Sequence, residues 1–109
     1  MVKLIYVITR KAGMSVPEFQ THWRETHAPV AARIPGVRRY IQNHTLPELY
    51  ERDPGPPYDG VAELWFDDMD ALRAAFASQE VRDAREDEVK FIDHSKSVLI
   101  IAEEKPVIE

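Results

Sequence analysis

Residues Val2–Thr9 read VKLIYVIT, a β-branched and aromatic run with almost no polar interruption. Such a run fits a strand covered on both faces, whereas a strand with one wet face alternates. Lys11-Ala12-Gly13 breaks the run. Ser15 with Glu18 then makes a capping box, in which each side chain satisfies the other's orphan backbone N–H, and Met14 with Phe19 forms a hydrophobic staple across the same start. Pro17 falls in the first turn, where its missing N–H has no helical partner. The helix opening there carries Val16, Phe19, Trp23, Val30 and Ile34 on one stripe at about 100° per residue. Pro29 costs this helix a backbone hydrogen bond and should bend it near Glu25, and Pro35-Gly36 ends it.

Further along, Val37–Leu46 (VRRYIQNHTL) alternates as an edge or near-edge strand with one wetter face. Pro47–Asp59 holds four prolines and reads as a loop. Val61–Phe66 (VAELWF) is a third strand, and Asp67 or Asp68 caps a helix burying Leu72, Ala75 and Phe76. Ser78, Val81, Ala84 and Glu88 predict more helix up to about Lys90. Lys96–Glu103 (KSVLIIAE) is a fourth strand, apolar on both faces like the first. The order β-α-β-β-α-(α)-β is that of an α+β, ferredoxin-like four-stranded antiparallel sheet with helices on one face. Helices cover one face only, so the apolar second face calls for another partner, and a second copy of the same sheet related by two-fold symmetry is the simplest. Lys105–Glu109 is too short to cover a sheet.

The chain has 109 residues, which fits one domain over 1–109. With 14 Lys+Arg against 19 Asp+Glu and no basic stripe beyond Arg38-Arg39, a nucleic-acid partner is not expected. The absence of cysteine excludes a disulfide, a thiolate metal site and a cysteine nucleophile, and fits a reducing interior. No apolar run is long enough for a signal peptide or a membrane span, so the expectation is a cytoplasmic protein without a membrane partner.

Four histidines are the side chains suited to proton transfer near neutrality. With Phe19 set at zero, a regular helix puts Trp23, Val30, His27 and His22 at about 40°, 20°, 80° and −60°. His27 then lies inside the apolar stripe and His22 on its shoulder. An imidazole aimed into a helix–sheet cleft is partly desolvated, which favours the neutral form that can act as a base. On position alone, a structural histidine bonded to backbone carbonyls near the Pro29 bend is the stronger reading. The five-residue spacing turns His22 and His27 about 140° apart, against the four-residue spacing of a helical metal pair, so no metal is expected. Asn43 and His44 occupy opposite faces of their strand, so only one can enter the cleft. Glu63 is a paired charge or a pocket base, and His94 a solvated turn residue. Tyr6, Trp23, Tyr40, Trp65 and Phe66 supply aromatic surface for core or pocket. No phosphate-loop, dinucleotide-binding, nucleophile-elbow or kinase motif is present.

Phe19-x-x-His22-Trp23-Arg24-x-x-His27-Ala28-Pro29, then Pro35-Gly36-Val37-x-x-Tyr40-x-x-Asn43-His44, resembles the EthD-domain family. The stretch Tyr58–Asp67 and Phe91-x-Asp93 extend the likeness over nearly the whole chain, although Pro47–Pro57 is longer and richer in proline than the family pattern. The resemblance implies a dimeric α/β barrel, two ferredoxin-like sheets meeting face to face, with a ligand cleft between helices and sheet in each subunit. Similar proteins are associated with ethyl tert-butyl ether degradation, and relatives on the same fold include lactone isomerases, polyketide cyclases and cofactor-free monooxygenases. The family's histidines match His22 and His27, which makes His27 the acid/base or substrate-orienting group and reverses the reading from position.

The function expected is therefore a cofactor-independent enzyme acting on a small hydrophobic metabolite with a carbonyl, enol or phenol. His27 moves a proton, Asn43 or Tyr6 steadies the developing oxyanion, and Tyr6, His22, Trp23, Tyr40 and Trp65 bind the substrate. The alternative is a non-catalytic accessory or binding module of an ether- or aromatic-degradation oxygenase system. No cofactor is called for, since no haem-family motif accompanies the histidines.

Overall fold

A computed structural model describes residues 1–109. Four strands, β1 (Val2–Ile8), β2 (Arg39–His44), β3 (Gly60–Phe66) and β4 (Val98–Ala102), form one antiparallel sheet in the order β2-β3-β1-β4. Helices α1 (Val16–Thr21), α2 (Ala28–Ala31), α3 (Met69–Phe76) and α4 (Gln79–Glu88) pack on one face, giving the ferredoxin-like α+β arrangement. β1 is central, as its two-sided apolar run requires, and β2 is an edge.

Local chemistry sets the helix starts. Ser15 and Glu18 bond reciprocally at 3.1 Å in both directions, Asp68 rather than Asp67 caps α3, and Ser78 caps α4. The Pro29 bend takes a definite form: His22–His27, between α1 and α2, is a π-helical segment with i→i+5 bonding, as in Ala28 N–H to the Trp23 carbonyl. Pro29 falls in the first turn of α2, where its missing N–H has no helical partner.

Register assigns the faces. Leu4 pairs with Leu64, Tyr6 with Ala62, and Tyr40 with Leu64. These residues, with Ile8 and Phe66, point to the helices and meet Phe19, Trp23, Leu72, Ala75 and Phe91 in one core. Gly60 is fixed by this packing, since a Cβ there would stand 2.5 Å from the Trp23 ring and 2.7 Å from the Asn43 carbonyl. The other face carries Ile5, Val7, Ile41, Val61, Trp65 and Ile100 with no helix above it. On this face of β4, Val98 and Ile100 are 42 and 47% exposed. The tail does not cover them, for Val107 and Ile108 are themselves 93% exposed.

The proline-rich loop is pinned. A 3-10 turn, Pro47–Glu51, presents Tyr50, whose hydroxyl donates to buried Asp59 at 2.6 Å. Asp59 also accepts from the Arg10 backbone and guanidinium, both at 2.7 Å. No helix is long and apolar enough to cross a membrane.

Candidate functional site

The π-helical segment brings together two histidines that a regular helix would separate. In the wider i→i+5 turn, residues five apart are turned less from one another than in a regular helix, and His22 and His27 both face α4. Between them stands Asp87, a buried carboxylate of α4. His27 Nδ1 lies 2.8 Å from Asp87 Oδ2, and His22 Nε2 lies 3.0 Å from both carboxylate oxygens. The Phe91 ring packs against both imidazoles, 4.7 Å from His22 and 4.9 Å from His27.

Burial pushes the Asp87 carboxyl up, but the hydrogen bonds from His27 and His22 outweigh it and hold the group below its ordinary value. An ionised carboxylate only accepts, so both imidazoles donate to it. With its hydrogen on Nδ1, the His27 base form carries its lone pair on Nε2. His27 is only 5% exposed, yet Nε2 bonds to nothing in the chain, and no buried side-chain nitrogen or oxygen lacks a partner. Nε2 is therefore reached from the space His27 borders.

That space is a cavity of about 450 Å³ between the helices and the sheet, walled largely by apolar side chains including Leu4, Ile8, Ala31, Leu64 and Phe76. Its volume is that of a small-molecule site. Arg85, Val89, His94 and Leu99 line it and are exposed, with half-buried Glu88 beside them, so the mouth lies between the end of α4 and β4. Across the mouth, His94 Nε2 meets Glu88 Oε1 at 3.0 Å. Tyr6, also on the wall, has its hydroxyl pushed up to about 12 by burial and the nearby Glu88 charge, so it holds its proton.

Four of the residues expected from sequence, Tyr6, Trp23, His27 and Tyr40, border this cavity. His22 does not line it and acts on Asp87 instead. Asn43 and Trp65 lie on the opposite face of the sheet, which corrects their expected roles. Asn43 donates to Glu63 Oε1 at 2.8 Å and to the Val61 carbonyl at 3.0 Å. Trp65 donates to Glu104 at 2.7 Å and is flanked by Lys3 and Arg39. On this strand it is His44 that turns to the helices, stacked on Trp23 at 4.3 Å. Glu63 is a paired charge, 2.6 Å from Lys3. Asp87 escaped sequence reading altogether; its one signal is a carboxylate three residues past Ala84 on the buried stripe of α4.

These features define a ferredoxin-like α+β protein with a histidine–carboxylate pair on the wall of an apolar cleft. The chain belongs to the EthD domain family, whose model matches residues 11–95. It is similar to an EthD family protein from Bacillus halodurans, at 27% identity and TM-score 0.78, covering 96% of this chain and 99% of that one. SnoaB from Streptomyces nogalater, a cofactor-independent oxygenase, shares the fold at 20% identity and TM-score 0.67, covering 98% and 95%. A dimeric ferredoxin-like protein of unknown function from Thermobifida fusca shares it at 16% identity and TM-score 0.69, covering 93% and 88%. No curated protein matches the chain in sequence.

Proposed function

We propose that this protein binds a small, largely apolar carbonyl or phenolic metabolite in the cavity and that His27 removes a proton from it without a cofactor. The carrying observation is His27 on the wall of an apolar cavity, with Nδ1 held by Asp87 and Nε2 bonded to nothing in the chain. The substrate O–H, or a C–H beside its carbonyl, gives its proton to Nε2, and the bonding pair remains on the substrate as an oxyanion or enolate. The resulting imidazolium is stabilised by the Asp87 carboxylate in surroundings poor in water, where a paired charge gains most. SnoaB, described as a cofactor-independent oxygenase on this fold, is consistent with an anion that reacts further with oxygen. Isomerisation and cyclisation start from the same anion.

The test is titration with 4-nitrophenol, whose visible absorption reports its ionisation. The wild type is expected to bind it and to ionise it at lower pH than in free solution, and His27→Ala to bind without that shift. Binding with no such shift in the wild type selects the accessory binding module instead, and no binding rejects the cavity as a site.

We further propose that the working unit is a homodimer closed through the helix-free sheet face. Val98 and Ile100, exposed on that face of β4, support this, as does the description of the Thermobifida relative as dimeric. Sedimentation is expected to give a dimer for the wild type and a monomer for Ile100→Arg. A monomeric wild type at ordinary concentrations rejects it.

A further inference from the structure

We propose that Tyr40 donates the hydrogen bond that recognises an oxygen of the bound molecule, and that Gln42 forces it into that role. This rests on the reading of the cavity as a ligand site and names what the ligand must present: an acceptor oxygen, as on a ketone or phenol, turned toward β2.

The derivation starts from a group with no choice. The Trp23 backbone carbonyl can only accept, and Gln42 Nε2 lies 2.8 Å from it, so the nitrogen end of the amide must face that way. The same nitrogen lies 2.8 Å from the Tyr40 hydroxyl and gives it its second hydrogen. At the other end of the amide, Gln42 Oε1 accepts from His44 Nε2 at 2.9 Å. Burial, with Arg24 nearby, pushes His44 below its ordinary value, so this is a neutral ring with its hydrogen on Nε2. The direction of the whole chain is therefore fixed, from His44 to Gln42 to Tyr40.

A tyrosine hydroxyl has one hydrogen and acceptor lone pairs. The Tyr40 oxygen receives the Gln42 hydrogen. The Tyr40 hydrogen finds no acceptor in the chain, and Tyr40 borders the cavity. Burial raises the hydroxyl above its ordinary value, so the proton stays on the oxygen. Each donor upstream polarises the next, which strengthens the last hydrogen bond of the series. His27 takes a proton, and Tyr40 meets the charge that the departure leaves.

The experiment compares 4-chlorophenol with 4-chlorotoluene, which differ in a hydroxyl against a methyl, by calorimetric titration. Tyr40→Phe is expected to lower the affinity for the phenol about tenfold and to leave that for the toluene unchanged. Gln42→Glu is nearly isosteric but cannot donate, so the Tyr40 hydrogen turns back to it; Gln42→Leu merely removes a donor. Gln42→Glu should therefore lose more of the phenol preference than Gln42→Leu, while the affinity for 4-chlorotoluene reports any disturbance of the wall that the unpaired Trp23 carbonyl causes in either variant. Equal weakening of both probes in Tyr40→Phe, or a larger loss in Gln42→Leu, overturns the proposal. A wild type that binds both probes without preference overturns it as well. Failure to bind either probe at millimolar concentration rejects the ligand reading beneath it.

Discussion

On the helix-covered face of the sheet, polar side chains are tied down so that one atom of each is left over: His27 keeps Nε2 open after Nδ1 is bonded, and Tyr40 keeps its hydrogen after its oxygen is bonded. On the open face, the polar groups close on one another. Lys3 pairs with Glu63 at 2.6 Å and Glu104 at 3.0 Å, Asn43 donates to Glu63, and Trp65 donates to Glu104. The Lys3 hydrogen bond holds the Glu63 carboxyl below its ordinary value against the opposing effect of burial. Both sides are built on the same strands, with His27 added from the π-helical segment on one of them, and hold similar residue types. What separates a binding surface from a satisfied one is the bonding capacity that remains after internal partners are counted.

The harshest way to break this contrast is at Gly60, where β2, β3 and the π-helical segment meet. An added methyl would press on the Trp23 ring and on the Asn43 backbone carbonyl, and the carbonyl belongs to a sheet that cannot give locally. Gly60→Ala is expected to cost about 3 kcal/mol or more, at the upper end of overpacking effects, and to abolish 4-nitrophenol binding by displacing Trp23. Denaturant unfolding with the binding titration checks both. A variant of wild-type stability would show that Trp23 is loosely seated.

Asp87 tests the helix side alone. Asp87→Ala leaves two imidazoles without their acceptor in a buried position, with an expected loss of about 2 kcal/mol, and Asp87→Asn should lose less because its oxygen still serves one ring. The pH dependence has a definite sign. The native carboxyl lies below its usual 3.8, so the unfolded chain binds more protons there and stability falls with acidification. This contribution is complete above the ordinary carboxylate range and disappears as pH drops through the native value. Acid unfolding of the wild type should therefore be steeper below about pH 4 than that of Asp87→Asn. Superposable acid profiles would mean that Asp87 is not held ionised by the histidines.

The sheet and helix starts were legible because their signals are local: VKLIYVIT, the Ser15–Glu18 box and the cap at Asp67-Asp68 each carry their own reason. His27 and Tyr40 were legible through apolar neighbours and family likeness. Asp87 was not, since it sits in the charged run Arg82–Glu88, where only the packing of α4 on the π-helical segment separates it from Asp83 and Glu86. The partnership of His22 with His27 was hidden by a helix type that regular periodicity does not describe. Strand alternation correctly put Asn43 and His44 on opposite faces, but alternation alone does not say which face the helices cover. That follows from the pairing of β2 with Leu64 and Ala62, whose side chains are already committed to the core.

Asn43 gives the mildest and most selective test. Its amide holds Glu63 and the Val61 carbonyl on the helix-free side, all partly open to solvent. Glu63 keeps Lys3 when that amide is lost, so Asn43→Ala should cost less than about 1 kcal/mol. Affinity for 4-nitrophenol and its ionisation on binding should both stay as in the wild type, because neither the cavity wall nor the Gln42 relay touches Asn43. A change in ionisation without a change in stability would mean that charge on the open face reaches His27 through the sheet, and the two faces would then have to be treated as one electrostatic unit.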